Sequence, residues 1–203
     1  MNRYTVIARE GLVPLLVAVT VAFMVWHFVS LPASLIFWAF AALVIFMFRD
    51  PERDIPSIPM AVVSPADGRI IAIEAIRDPY LDRQSIHVTV QMNPYGVFTT
   101  RSPVEGKVQV PPHQPAGVKT PHGVWLKTDE DDDVVMVMNK GRLNAGLRCY
   151  IRFGERIGQG KRCGFIPLGS QIELYLPEES RLAVSVGDVV RGGSDVIAKL
   201  VHA

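Results

Sequence analysis

Cysteine and histidine are scarce in this sequence. The two cysteines, Cys149 and Cys163, are too few for a disulfide-stabilised fold and lack a zinc-binding spacing. We therefore expect free thiols with structural roles in a reducing compartment. None of the 5 histidines forms a His-x-x-x-His pair, so the sequence predicts no metal centre.

Charge is also not concentrated in a way that predicts a charged partner. The formal net charge is +1, and no basic cluster with interleaved aromatic residues occurs, so we expect no nucleic-acid partner. The acidic run DEDDD at residues 129–133 lacks the alternating ligands and central glycine of a calcium-binding loop. A solvated loop between two strands is the simpler interpretation.

Apolar residues, in contrast, are abundant and concentrated near the N-terminus. The hydrophobic content is 49% and the mean hydropathy is +0.23, which is high for a soluble protein. Two runs, GLVPLLVAVTVAFMVWHFVS and LPASLIFWAFAALVIFMF, contain no charged residue other than the usually neutral His27. Each is about as long as the roughly 17–25 residues that a membrane-spanning helix needs.

Pro32 lies between the two runs, so we predict a tight helical hairpin over residues 1–48 rather than one long helix. A shallow re-entrant hairpin in one leaflet remains an alternative. Because basic residues favour the cytoplasmic side, both ends should face the cytoplasm, with the protein in the cell (inner) membrane. The flanking basic residues are Arg3, Arg9, Arg49 and Arg53.

The remainder, residues 49–203, alternates apolar and polar residues in short segments separated by Pro and Gly, as in GRIIAIEAI, SIHVTVQM, VVMVMN and IELYLP. This spacing predicts a mainly β domain, either a sandwich or a hammerhead-like barrel. The stretches SPADGRI and SPVEGKV are similar to each other, and VSVGDVVRGGSDVIA is similar to the turns of biotinyl and lipoyl carrier domains. Neither Lys107 nor Lys199 lies in a Met-Lys sequence, which disfavours a carrier function.

Gly169 and Ser170 interrupt an otherwise continuous strand pattern, since apolar residues precede them and Ile172, Leu174 and Leu176 alternate after them. A glycine in such a pattern usually marks a bulge or a bend. Taken alone, the Gly-Ser pair therefore predicts irregular backbone and nothing more.

Four motifs in order carry more information: FRDPERDIP, SPADG, MNPYGVFTTRSPVEGKV and GFIPLGSQIELYLP. Together they resemble the phosphatidylserine decarboxylase family, from about residue 48 to the C-terminus. The similarity is greatest to its short, membrane-tethered branch, which includes archaetidylserine decarboxylase-like proteins.

The resemblance implies a proenzyme that cuts itself between Gly169 and Ser170 and converts Ser170 into a pyruvoyl group. It also implies catalytic roles for Asp67 and Arg101, and no external cofactor. The expected reaction is decarboxylation of a serine phospholipid at the membrane, with the two cleaved subunits remaining associated and homo-oligomerisation left open. Arg49 and Arg53 are expected either to meet lipid phosphates or to anchor the chain at the membrane boundary.

Two departures from the family pattern fall on the substrate side. Gly96 and Phe98 stand where the family has an aspartate and a histidine, and TDEDDDVVMVM replaces an Asn-Glu-Arg-Asn-like segment. Phe98 cannot transfer a proton, and such help is typically worth about 10²- to 10⁴-fold in rate. The alternatives are a surrogate such as His87, or a relative that binds lipid or a partner without efficient catalysis.

Overall fold

The computed structural model describes residues 7–113, 123–139 and 146–201. The chain divides into two compact units, the first ending at Glu52 and the second beginning at Arg53. The first is helical and the second is built from β-strands.

The first unit is a helical hairpin of α1 (Arg9–Phe28) and α2 (Leu31–Met47). Ser30 caps α2 by accepting a hydrogen bond from the Ala33 N–H at 3.4 Å, and Pro32 lies in the first turn of α2, where a missing N–H costs no helical bond. The Ala8 N–H donates to the Phe48 carbonyl at 2.7 Å. This bond closes the open end of the hairpin, so both of its ends lie on the same side.

Small residues form the contact between the helices, and large apolar residues point outward. A Cβ on Gly11 would lie 2.4 Å from Phe48 Cβ, so only glycine permits this close approach. Leu16 and Ile36 are 68% and 70% exposed. α1, with a mean hydropathy of 2.0, is long and apolar enough to cross a membrane, while α2 has 17 residues. Small residues inside and large apolar residues outside are typical of helix pairs in lipid.

The second unit contains antiparallel strands throughout its described parts. Their bounds are β1 Ala61–Val63, β2 Gly68–Arg77, β3 Gln84–Met92, β4 Thr99–Arg101, β5 Gly106–Gln109, β6 Gly123–Lys127, β7 Asp133–Met138, β8 Arg148–Cys149, β9 Arg156–Ile157, β10 Arg162–Phe165, β11 Gln171–Pro177, β12 Arg181–Leu182, β13 Val189–Val190 and β14 Val196–Lys199.

These strands form one large sheet and two small ones. The large sheet has eight strands in the order β13-β2-β3-β11-β7-β6-β5-β9, and the small sheets are β1-β14-β12 and β4-β10-β8. Ile172, Leu174 and Leu176 of β11 are fully buried in the same core as residues of both small sheets. The prediction of a mainly β protein with apolar N-terminal helices is therefore confirmed.

The strand order contains an internal two-fold repeat. From its two edges to its middle, the large sheet consists of two equivalent halves, β13-β2-β3-β11 and β9-β5-β6-β7. The two small sheets, β1-β14-β12 and β4-β10-β8, are equivalent to each other in the same way. Each half thus contains seven strands, and equivalent strands occur in the same order along the chain in both halves. The second half, from Thr99 to Phe165, is inserted between β3 and β11 of the first.

Hydrogen bonds repeat in the same way. Ser64 Oγ donates to the Ala66 carbonyl and Ser102 Oγ to the Val104 carbonyl, both at 2.7 Å. Gly68 and Gly106 follow these turns, and a Cβ there would lie 2.2 and 2.4 Å from a carbonyl oxygen of the neighbouring strand. The similar sequences SPADG and SPVEG thus occupy equivalent positions in the two halves.

Candidate active site

The Gly169–Ser170 bond lies in a turn between two sheets. β10 ends at Phe165 in a small sheet, and β11 begins at Gln171 in the large one, so the apparent single strand is two. Leu168 and Gly169 have φ values of +60° and +68°. A left-handed conformation costs a side-chain-bearing residue roughly 1–2 kcal/mol, so the backbone immediately before Ser170 is strained at Leu168.

Ser170 is held beside the end of β3. The Met92 N–H donates to the Ser170 carbonyl at 2.8 Å, and the Gln91 side-chain amide lies at 3.4 Å from the same oxygen. A Cβ on Gly169 would lie 3.1 Å from Met92 Cβ. The turn is therefore packed tightly against β3, while Ser170 itself is half-buried.

Asp67 lies on the other side of the same strand end. It precedes Gly68, which pairs with Met92, and its carbonyl accepts a hydrogen bond from the Asn93 N–H at 3.1 Å. β3 thus separates Asp67 from Ser170, and at about 4.8 Å per strand their backbones are roughly 10 Å apart. Both residues lie at the same edge of the sheet.

The Asp67 carboxylate is fixed at both oxygens. Oδ2 accepts from Arg53 Nη2 at 2.6 Å, and Oδ1 accepts from the Gly192 N–H at 2.8 Å. The side chains of Arg53 and Asp67 are 14% and 22% exposed. Each carboxylate oxygen has a second acceptor position, so the group is oriented and still able to accept another hydrogen bond. The sequence did not indicate this role for Arg53.

Arg101 lies behind the loop that carries Asp67. It is 2% exposed, and its Nη1 donates to the Gly160 carbonyl at 3.1 Å. Its backbone N–H donates to the Pro65 carbonyl at 2.8 Å. A Cβ on Gly193 would lie 2.7 Å from Arg101 Cδ, so the arginine stem packs against the turn next to Gly192.

Phe98 is part of the packing beneath the Gly169 turn. It is 3% exposed, its ring meets Phe165 edge to face with centroids 6.2 Å apart, and its carbonyl accepts from the Ile166 N–H at 2.9 Å. Gly96 forms a tight turn, with its N–H donating to the Asn93 carbonyl at 3.0 Å. The aromatic ring therefore supports the segment that leads to the Gly-Ser bond.

His87 is far from this site. It pairs with Tyr175, five residues beyond Ser170 on β11, which corresponds to roughly 17 Å along a strand. Its ring stacks on Tyr175 at 4.7 Å, and Nε2 lies 3.4 Å from Glu173 Oε2. Hydrogen bonds from His87 first, and also from Asn139 and Tyr175, lower the pKa of Glu173 to about 2 against the opposing effect of burial. His87 thus belongs to a separate polar cluster and does not reach Ser170.

The acidic run forms the turn between β6 and β7. Asp129 bonds to Arg156, Asp131 lies 3.1 Å from Lys127 Nζ, and Asp133 accepts from Trp125 Nε1 at 2.8 Å. Three carboxylates of the run, those of Asp129, Asp131 and Asp133, therefore pair with neighbouring side chains.

The comparisons with known proteins agree with this architecture. The family model described as phosphatidylserine decarboxylase matches residues 40–198. A phosphatidylserine decarboxylase proenzyme of Aromatoleum aromaticum is 37% identical over 208 residues, covering 97% of each chain. Proteins of the same name from Nitrosomonas eutropha and Paraburkholderia xenovorans are each 35% identical, covering 97% of this chain and 96% and 98% of their own.

A β-domain of this kind, with full-length similarity to decarboxylase proenzymes, is a lyase. The chain belongs to the phosphatidylserine decarboxylase family, as the four ordered motifs predicted.

Proposed function

We propose that this protein cuts itself between Gly169 and Ser170 and then decarboxylates phosphatidylserine, or a related serine phospholipid, to the corresponding ethanolamine lipid. The observation that carries the proposal is the left-handed backbone at Leu168 and Gly169. It lies immediately before a half-buried serine on one side of the end of β3, and Asp67 lies on the other side of that strand end.

The self-cleavage uses only groups of the chain and one water. Ser170 Oγ attacks the Gly169 carbonyl carbon and loses its proton to a base, the peptide C–N bond breaks, and an ester forms while the Ser170 nitrogen becomes an amine. β-Elimination then releases Gly169 as a carboxylate and leaves dehydroalanine. Water converts this product into a pyruvoyl group and ammonia. We assign the acid–base role of the first step to Asp67, oriented by Arg53 and Gly192; because the two backbones are roughly 10 Å apart, the proton passes from Ser170 by way of an intervening water that is not consumed.

The residues around position 170 fit a pyruvoyl group. Cleavage leaves residue 170 attached to β11, between β3 and β7 in the middle of the large sheet. The carbonyl that the Met92 N–H binds is retained. Once formed, the group supplies a ketone that withdraws electrons as carbon dioxide leaves, a role that pyridoxal phosphate fills in other enzymes.

The cleaved pieces stay together because their strands are interleaved. Residues 170–203 contribute β11, which pairs with β3 and β7, and β14, which pairs with β1. Separation would break these ladders and expose the fully buried Ile172, Leu174 and Ile197. The β-domain, which the sequence placed at residues 49–203, therefore functions as two associated subunits.

The hairpin retains the β-domain at its substrate. A lipid with two acyl chains leaves the bilayer at a cost of about 0.8 kcal/mol per CH₂, so the enzyme must work at the surface. Arg9 and Arg49 lie at the two ends of the hairpin, and by the positive-inside rule they support a β-domain on the cytoplasmic side of the inner membrane. For residues 1–48 we thus propose the role of a membrane anchor.

The test is the state of the C-terminal fragment. The 22.4 kDa chain should give two bands on denaturing electrophoresis, and the smaller fragment should be lighter by one ammonia than residues 170–203 with an unmodified N-terminal serine. Ser170→Ala should remain intact. A wild-type chain that stays intact on prolonged incubation would refute self-cleavage.

Phe98 supports a second candidate, a relative that matures but releases carbon dioxide slowly or not at all. The buried Phe98–Phe165 pair contains no proton donor. Incubation of the matured protein with phosphatidylserine labelled in its carboxyl group separates the two ideas. Labelled carbon dioxide supports the enzyme, whereas a pyruvoyl end without carbon dioxide release supports the second candidate.

A further inference from the structure

The internal repeat gives the candidate active site a counterpart in the other half of the β-domain. Glu105 of SPVEG takes the place of Asp67. The Thr128 N–H donates to the Asp132 carbonyl at 2.9 Å, as the Met92 N–H does to the Ser170 carbonyl at 2.8 Å. Asp131, which precedes Asp132, has a φ of +68°, the same as Gly169. The counterpart keeps the turn and an acid but lacks the serine hydroxyl.

A cleft of about 450 Å³ lies at this counterpart corner. Its lining residues are Lys107, Gln109, Lys127, Thr128, Asp129, Gly154 and Arg156. The cleft lies three strands away from β11 and at the opposite end of β7 from Ser170. From the spacing of strands and the rise along them, it is on the order of 20 Å from Ser170. It is therefore separate from the site already described.

Three positively charged side chains lie side by side in the cleft. Arg156 pairs with Lys107, and Lys107 pairs with Lys127, in register on β9, β5 and β6. Like charges directly opposite each other destabilise a sheet. The equivalent row in the first half consists of Val189, Arg69 and Gln91, so this fold does not require cations at these positions. The additional charge therefore calls for a functional explanation.

Carboxylates satisfy two of the three cations. Arg156 bonds to Asp129 and lies 3.2 Å from Glu105, and Lys127 lies 3.1 Å from Asp131. Within the described parts of the chain, Lys107 takes part in no ion pair. The Arg156 pairs are more than half exposed, and pairs of this kind contribute little and are easily exchanged for another anion.

We infer that this cleft binds a phosphate group, with Lys107 as its central contact and Lys127 and Arg156 on either side. Asp129 and Glu105 lie where they can meet an amine on the same ligand. The chemistry suits the headgroup of an aminophospholipid, and free phosphate shares its anionic part. The inference goes beyond the proposed function and does not depend on self-cleavage.

The experiment uses the full-length Ser170→Ala protein, which cannot mature, in detergent solution. Isothermal titration calorimetry with inorganic phosphate and with sn-glycero-3-phosphoethanolamine should show binding, with Kd in the range of roughly 0.1–1 mM. Lys107→Ala should weaken binding at least about tenfold, because a charged hydrogen bond is lost. Lys199→Ala, which removes an exposed lysine of β14, is the matched control and should bind as the parent does.

The two probes identify the source of the phosphate. Tighter binding of the glycerophospho compound supports a lipid headgroup, and equal or tighter binding of inorganic phosphate supports a free-phosphate site. Absence of heat with either probe up to roughly 10 mM, or equal affinities of the Lys107→Ala and parent proteins, overturns the inference. Neither result bears on cleavage at Gly169–Ser170, since every protein in the test carries Ser170→Ala.

Discussion

Removal of the Arg53 side chain should slow maturation by a predictable amount. Arg53 Nη2 lies 2.6 Å from Asp67 Oδ2, and a hydrogen bond to a charged group is worth about 1.5–3 kcal/mol. The two side chains are 14% and 22% exposed, and we discount the energy for this exposure to about 1–2 kcal/mol. If orientation of Asp67 is lost in the transition state, Arg53→Ala should cleave roughly 5–30 times more slowly.

The assay is a time course of cleavage as the full chain is made by cell-free translation with labelled methionine. Guanidinium ion at millimolar concentration should restore part of the Arg53→Ala rate, because it can occupy the vacated position beside Asp67. Arg53→Lys should give an intermediate rate, since an ammonium lacks the planar fork of arginine. A purely structural role for Arg53 predicts no such rescue.

The matched control is Arg69→Ala. Arg69 is exposed, lies two residues from Asp67, and donates to the Gly187 carbonyl at 2.6 Å, so its loss should leave the cleavage rate unchanged. Asp67→Asn should cleave slowly and remain slow in guanidinium. Cleavage of Arg53→Ala at the wild-type rate, or a loss that guanidinium leaves uncorrected, would refute the orienting role.

Three further predictions test other parts of the molecule. Gly169→Ala in the Ser170→Ala background should lower Tm by a few degrees, because a left-handed alanine costs about 1–2 kcal/mol and its Cβ would approach Met92 to 3.1 Å; an unchanged Tm would contradict the strained turn. Phe98→His should raise the rate of carbon dioxide release per cleaved protein at least about tenfold; an unchanged rate would show that a missing donor does not limit turnover. The Glu173 pKa is lowered from 4.5 to about 2, so the stability that its ionised form contributes is present above pH 4.5 and lost as pH falls toward 2. In thermal melts, Tm should therefore fall less between pH 4.5 and pH 2 for Glu173→Gln than for the wild type. An equal fall in Tm for both proteins would count against the His87–Glu173 bond.

Local patterns in the sequence were sufficient for the elements themselves. The uncharged runs and Pro32 predicted two helices, and the structure has them at Arg9–Phe28 and Leu31–Met47. Alternation predicted β11, because Ile172, Leu174 and Leu176 must all face one side of the strand, and all three are fully buried. Such features depend on neighbours in the chain and can be predicted from them.

Contacts between distant segments could not be predicted in this way. The alternation around Gly169 and Ser170 suggested one interrupted strand, whereas the residues before and after the pair belong to different sheets. Arg53 was expected either to meet lipid phosphates or to anchor the chain at the membrane boundary, because the sequence alone does not reveal the Asp67 carboxylate as its partner. The similarity of SPADG and SPVEG indicated a repeat, but only the strand order shows that one half is inserted into the other.

The nesting of one half inside the other has a consequence for timing. Asp67 and Ser170 meet the two sides of β3 only after the whole segment from Thr99 to Phe165 has been made and the chain has returned to the first half. Such long-range pairings are slow to form. If the chain cuts itself as we propose, a nascent or misassembled chain keeps its backbone intact, and the cut marks a domain as correctly built before it acquires reactive chemistry.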